Sequence, residues 1–264
     1  MGLKIAIGGK GGVGKTSVCA VWAQLFAEDS FEILAVDVDP NTSLCAAFGI
    51  SAEKIPEPLI KMKELIAERT GTDKDAVGAY FRLNPKVSDL PDKHCLEFNG
   101  VKLLVLGGIT HGGAGCACPE GAFLKALLTH TILQRNEVVL VDLAAGPEFL
   151  GRASIQGIDA LVVVVEPGTR SIQTALSIAN MAKELGVKNI VAIINKITDT
   201  NQVETIKAKL KGMTILTELA YSDKVQQADL NSENVFDSDP ELVNSLRKAK
   251  DELTNLILSG VNSQ

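Results

Sequence analysis

The sequence predicts an α/β fold: a single domain with a mostly parallel central sheet and helices on both faces. Three observations predict it. Short β-branched runs alternate with segments of helical period almost from end to end, the pattern of parallel strands joined by crossover helices. The chain is 46% hydrophobic but only 4% aromatic, which implies a core of Val, Ile, Leu and Ala such as strands buried on both faces have. At 264 residues it is long enough to bury one large core.

Taken in order, Lys4–Gly8 reads as the first strand and runs into a glycine-rich loop, after which Thr16–Ala27 has helical period. Ile33–Asp37 is the next strand. From Ala52 to Lys93 the pattern weakens, with four prolines and many charges, so this stretch reads as a helical insertion (Leu59–Arg69) followed by a loop-rich excursion. His94 and Cys95 fall just beyond it and take no role. Strands resume at Leu103–Leu106, Val138–Leu143, Ala160–Val165 and Ile190–Asn195, interleaved with helical segments Glu120–Leu133, Ser171–Leu185 and Gln202–Lys211. Pro240–Ser259 reads as a final helix with Pro240 in its first turn and Asp239 as its cap.

Composition excludes several functions. Net charge is −6 and no Lys/Arg block stands out, so no basic face for nucleic acid is expected. No apolar run approaches the ~20 residues of a membrane span. The start Met1-Gly2-Leu3-Lys4-Ile5-Ala6 lacks the Ser/Thr of a myristoylation signal, and the early strand leaves no place for a signal peptide. The five cysteines (Cys19, Cys45, Cys95, Cys116 and Cys118) are an odd number without secretory context. Reduced thiols in a cytoplasmic protein are the expectation, with metal or redox chemistry for a close pair. Cys19 and Cys45 lie on helical stretches and read as core.

Gly9-Lys10-Gly11-Gly12-Val13-Gly14-Lys15-Thr16 matches G-x-x-x-x-G-K-[ST], a Walker A loop between a strand and a helix. Its glycines let backbone approach phosphate closely, and its amides and the helix N-terminus attract the anion. Gly9, Gly11, Gly12, Val13, Gly14, Lys15, Thr16 and Ser17 are therefore the nucleotide-binding set. Lys15 reaches the β/γ-phosphates and the Thr16 hydroxyl ligates magnesium. Asp37 and Asp39 stand at the end of the second strand, and Asp142 ends an apolar strand, the place of a Walker B aspartate. Lys15, Asp39 and Asp142 are the catalytic candidates that the motifs supply, and the resemblance described next adds Lys10.

With Lys10, the loop reads Gly-Gly-Lys-Gly-Gly-Val-Gly-Lys-Thr, the deviant Walker A signature. It resembles the P-loop ATPases (SIMIBI-type) that include MinD, ParA, the arsenite-pump ATPase and nitrogenase iron protein. The resemblance implies that Lys10 reaches across a dimer interface to the partner subunit's nucleotide. It implies that Asp39 orients the attacking water, and that Asp142 opens a second switch, Asp142-Leu143-Ala144-Ala145-Gly146. Leu143 and Ala144 depart from the group's usual wording there. Asn195 stands where the group's asparagine contacts the base. Thr198 occupies the position of a GTPase's Asp, which favours adenine, hence ATP and ADP.

The stretch at about 111–119 contains Gly112-Gly113-Ala114-Gly115-Cys116-Ala117-Cys118-Pro119. Residues i and i+2 of an extended segment point the same way, so Cys116 and Cys118 can face one metal. The other readings are two small buried residues or a redox pair, with His111 as a rival ligand. Two thiolates are too few for a closed four-coordinate site, and a twofold axis would bring two pairs together as Cys₄. The Cys-x-Cys-Pro-Glu block, Asp142…Ala145-Gly146…Leu150-Gly151-Arg152 and Val165-Glu166-Pro167-Gly168-x-Arg170-Ser171 together resemble the CooC-type nickel-insertion ATPases along essentially the whole chain. That resemblance implies a homodimer whose Cys116/Cys118 pairs bind nickel or zinc. It also implies a client nickel enzyme, carbon monoxide dehydrogenase or acetyl-CoA synthase. Ligand softness leaves Ni²⁺ and Zn²⁺ both open. Two other readings are an electron-transfer ATPase with a shared [4Fe–4S] cluster and a MinD/ParA-type positioning ATPase. Gly146–Gly151 offers no cysteine for the first. For the second, the stripe Leu242, Leu246, Ala249, Leu253 and Leu256 ends without basic charge.

Overall fold

The computed structural model describes residues 2–72, 80–108, 118–134, 137–147 and 157–261. In its first half β1 (Lys4–Gly9), α1 (Lys15–Glu28), β2 (Ile33–Asp37), α2 (Leu44–Ala47), α3 (Lys63–Thr70), α4 (Leu90–His94), β3 (Leu96–Phe98) and β4 (Val101–Val105) follow one another. Then come α5 (Pro119–Gln134), β5 (Val138–Asp142), β6 (Ala160–Val165), α6 (Thr169–Glu184), β7 (Asn189–Ile197), α7 (Thr200–Lys209), β8 (Thr214–Ala220), α8 (Asp223–Asn231), α9 (Val235–Ser238) and α10 (Pro240–Val261).

Among the described residues the sheet has eight strands in the order β3-β4-β2-β5-β1-β6-β7-β8. All neighbours are parallel except the β3–β4 pair. The central strands are buried along their whole length, which is why they read as continuous apolar runs. Alternate residues feed two cores: Ile5, Ile7, Leu140, Val162 and Val164 face α1 and α10, and Ala6, Val139, Val141, Leu161 and Val163 face α5 and α6. The two-sided α/β architecture is thus as the strand–helix alternation predicts.

Register positions the site. Ile7 lies beside Asp142, and Asp37 also lies beside Asp142, so the carboxyl ends of β1, β2 and β5 meet at one edge of the sheet. In an open α/β sheet this is where ligands bind.

Three elements differ from expectation. The single helix expected over Leu59–Arg69 is a 3-10 turn at Leu59–Lys61 and then α3, because Met62 is non-helical (φ −76°, ψ 75°) and the Ile60 amide donates to the Leu106 carbonyl (3.0 Å). α3 is clamped to the next part of the excursion by Arg69, whose two terminal nitrogens each donate to Asp89 at 2.9 Å. That guanidinium, with Lys93, holds the Asp89 carboxyl well below the usual carboxylate range. β3 and β8 are strands that the periodicity does not announce: β3 has three residues, and β8, Thr-Ile-Leu-Thr-Glu-Leu-Ala, is largely solvated. On α10 the stripe against the core is Val243, Leu246, Ala249, Leu253 and Ile257; Leu256 is only half-buried. The Trp22 indole donates to the Leu246 carbonyl (2.9 Å), fixing α10 on α1. The apolar face of the last helix is thereby used in packing, as expected. Among the described residues no helix is long and apolar enough to cross a membrane.

Candidate functional site

β1 ends and α1 begins around the glycine-rich loop, and the backbone there admits few residues. Gly14 caps α1 with φ 98°, and a Cβ on it would lie 2.4 Å from the Asn195 amide nitrogen. A Cβ on Gly9 would lie 2.5 Å from the Val164 carbonyl. Glycine is required at both for steric reasons.

Loop carbonyls are held by other parts of the chain. Gly146 N–H donates to the Gly9 carbonyl (3.2 Å), the Lys15 ammonium to the Lys10 carbonyl (3.3 Å) and the Asn195 side chain to the Val13 carbonyl (2.8 Å). Lys196 donates to the Gly12 carbonyl at 2.6 Å from a left-handed backbone (φ 60°). Lys196 was not singled out from sequence. Its neighbour was, and the Asn-Lys pair at a strand end was the available signal. Asn195, expected beside the base, has its amide engaged with the loop and also accepts from the Lys196 N–H (2.9 Å). It still lines the cavity, where a second amide hydrogen remains for a ligand.

That cavity measures about 580 Å³. Its phosphate end is formed by Gly11, Gly12, Gly14, Lys15, Thr16 and Ser17, with Asp39 and Asn41 opposite. Its other end is apolar and polar by turns: Leu219, Tyr221, Val225 and Gln226, closed by Leu242 and Leu246 of α10. The shape suits a nucleotide, with charge at one end and a flat group at the other.

The acid cluster sits at the strand ends. Asp142 is buried; its Oδ2 accepts from the Thr16 hydroxyl (2.7 Å), while its Oδ1 is buried with no hydrogen-bond partner among the described residues. Burial first, then the charge of Asp37, push the Asp142 carboxyl up to about 7, although Thr16 and Lys15 pull the other way. A buried carboxylate oxygen with an open lone pair beside a hydroxyl fits a divalent cation, and Thr16 and Asp142 are the residues that would hold magnesium. Ser43, whose hydroxyl is 3.4 Å from that of Thr16, closes the same corner.

Asp37 and Asp39 play different parts. Asp37 is buried and accepts from the Leu44 N–H (2.8 Å) and the Asp39 N–H (3.0 Å), so it anchors the loop, and burial pushes its carboxyl to about 6. Asp39 is carried outward to the cavity and accepts from the Asn41 N–H (2.9 Å). Sequence singled out Asp39 as the group for the ligand and gave Asp37 no role, so the anchor was missed.

Lys10 points away from this cavity and pairs with Glu166 at 2.9 Å. Of the expected metal pair, Cys116 lies outside the described residues, as do His111 and the Leu150-Gly151-Arg152 part of the sequence pattern. Cys118 is half-buried, and its sulfur accepts from the Gly121 N–H (3.3 Å) at the start of α5. Among the described residues no three metal-ligating side chains cluster. Cys19 and Cys45 are buried; burial pushes both thiols up, so they stay protonated and pack as small apolar groups, as expected.

The chain leaves β4 in contact with the nucleotide side. Leu106 and Gly107 donate to the Asp37 carbonyl (2.9 and 3.2 Å), and a Cβ on Gly108 would lie 2.5 Å from the Pro40 ring. Gly108 is the last described residue before the cysteine-bearing stretch.

The chain is similar to known nucleotide-binding proteins. Residues 4–235 match the CobQ/CobB/MinD/ParA nucleotide binding domain. The chain is 39% identical over 240 residues to the carbon monoxide dehydrogenase accessory protein CooC of Rhodospirillum rubrum, covering 90% of this chain and 91% of that one. It is 40% identical over 230 residues to an uncharacterized ATP-binding protein of Methanocaldococcus jannaschii, 86% of this chain and 88% of that one. Its fold matches the MinD cell division protein of Aquifex aeolicus with a TM-score of 0.68 at 19% identity, over 95% of this chain and 96% of that one. The chain therefore belongs to the CobQ/CobB/MinD/ParA nucleotide-binding family, in the branch that includes the CooC accessory protein.

Proposed function

We propose that the protein is an ATP-dependent metallochaperone. It binds nickel, or zinc, through Cys116 and Cys118 of two subunits and helps insert nickel into carbon monoxide dehydrogenase or a related nickel enzyme such as acetyl-CoA synthase. The similarity to CooC supports the accessory role. The observation that carries the coupling is the seat of Pro40 against Gly108. The loop bearing Asp39 meets Gly108 at this point, and this supports a coupling between the nucleotide site and the cysteines that follow in sequence.

In the nucleotide site, the loop amides and Lys15 hold the phosphates, and Thr16 and Asp142 hold the cation. Magnesium bound there neutralises charge on the β- and γ-phosphates. Asp39 orients the water that attacks, and ATP is hydrolysed to ADP and phosphate at a rate governed by dimerisation. Lys10 completes the neighbouring site in a homodimer. At the metal end, the helix start behind Cys118 favours negative charge on its sulfur, which suits a thiolate ligand.

The test is metal content and oligomeric state of the purified protein with and without MgATP. Replacing both cysteines (Cys116→Ala with Cys118→Ala) is expected to abolish stoichiometric nickel or zinc binding and metal-driven dimerisation while ATP binding survives. Retained metal binding in that variant would overturn the proposal, and so would a brown iron–sulfur chromophore on anaerobic purification.

A further inference from the structure

We propose that Glu166 is a positioning residue for Lys10. In the single subunit it holds the signature lysine on its own side, and it must release that lysine before two subunits can pair around nucleotide. This rests on the reading above, in which Lys10 acts across a homodimer.

The geometry of the pair is set by the backbone. Gly9 lies beside Val164 in the β1–β6 register, so the residue after Gly9 and the residue just past the end of β6 are brought together by the sheet. Glu166 is that residue. Its N–H donates to the hydroxyl of Ser171 (3.1 Å), a buried residue in the first turn of α6, so its backbone is fixed from both sides. From there Oε1 accepts from the Lys10 ammonium at 2.9 Å. Neither residue lines the nucleotide cavity. Lys10 is thus held by a carboxylate outside the cavity.

The strength of the contact suits reversible release. The side chains are 38% and 23% exposed, so water screens the pair and its contribution is small. Pairing exchanges one anion for another: Lys10 leaves a single carboxylate for a triphosphate, whose charge is larger. Removing the carboxylate favours the released lysine by roughly two- to fivefold in each subunit. Two subunits must release it, so the dimerisation constant is expected to tighten by roughly four- to twenty-five-fold.

The experiment is analytical ultracentrifugation of the full chain over a protein concentration series at saturating MgATP. Glu166→Gln is expected to dimerise at lower concentration than the wild type by that factor. Glu166→Asp, which keeps the charge, is expected to stay near the wild type. Placing Glu166→Gln on Lys10→Ala is expected to change nothing further, because the lysine that it releases is gone. Glu166→Ser removes the charge with less bulk and carries the same expectation, so failure of one variant to fold leaves the test in place. If Glu166→Gln leaves dimerisation unchanged or weakens it while Lys10→Ala abolishes it, the positioning role is wrong and the dimer reading stands. An effect of Glu166→Gln that persists without Lys10 also overturns the positioning role. If Lys10→Ala dimerises as the wild type does, the reading beneath it is wrong.

Discussion

The side chains that carry most consequence are two buried acids. Asp142 and Asp37 have carboxyls raised to about 7 and about 6, chiefly by burial. A carboxyl whose folded value lies above its unfolded value of about 4 holds its proton more firmly in the folded chain. Stability of the ligand-free protein therefore falls as pH rises from about 4 through 7, and is lowest above that window. Asp142→Asn removes the ionising group and is expected to raise the thermal midpoint of the ligand-free protein at pH 8 by about 2–6 °C, while leaving it little changed near pH 4. The same variant is expected to lose magnesium-dependent nucleotide affinity. Thermal scans across pH, paired with calorimetric MgADP titration, check both arms; an unchanged midpoint at pH 8 would contradict the account of Asp142. At this scale Lys15, Thr16, Asp39 and Asp142 were legible because each sits at fixed spacing from a strand or helix end. Asp37 as an anchor, Lys196 as a loop clasp and Glu166 as the partner of Lys10 were not. Lys196 and Glu166 depend on contacts between segments far apart in sequence, and Asp37 on the way the following loop folds back so that the Asp39 and Leu44 amides reach it.

Among the elements, boundaries were legible to within a residue where an apolar run is unbroken, as in β5 and β6, whereas β4 starts at Val101 rather than Leu103 because Lys102 interrupts its run. They were not legible at the sheet margins. In β8 only Leu216 and Leu219 are buried, three residues apart, and Glu218 pairs with Lys207 of α7 at 2.6 Å, so the segment lacks strand alternation and resembles a solvated one. The 3-10 turn before α3 was hidden for another reason: a tertiary hydrogen bond to Leu106 overrides local helical period. The same region meets the nucleotide side, since the stretch after β4 is seated on Pro40. Gly108→Ala would put a methyl 2.5 Å from that ring, so one of the two segments has to move. The expected outcome is a protein that binds MgATP with affinity within about threefold of the wild type but whose metal affinity no longer responds to nucleotide. That is about 0.6 kcal/mol for the retained step against loss of a coupling of typically 1–3 kcal/mol. Metal titrations with and without MgATP measure it, and an undiminished nucleotide response would show that the contact transmits nothing.

For the molecule as a whole, the α/β class and nucleotide site followed from a motif in its strand–helix context. The proposed metal function rests on Cys116 and Cys118, whose meaning requires a second copy that one sequence does not display. If nucleotide and metal prefer the same dimer, linkage makes their effects equal: the factor by which MgATP raises metal affinity is the factor by which metal raises MgATP affinity. Calorimetry in both orders is expected to return the same factor, on the order of 5–150-fold. A factor of one in either order would separate the sites. The phosphate loop has a further consequence, for kinetics. The carbonyls of Gly9, Gly12 and Val13 already accept from Gly146, Lys196 and Asn195, and of these four loop contacts the one from Lys15 to the Lys10 carbonyl is the one a phosphate would replace. A receptor shaped in advance spends little binding energy on reshaping itself. The rate of nucleotide capture is then set by diffusional encounter, and differences in affinity among nucleotides appear in how slowly each one leaves.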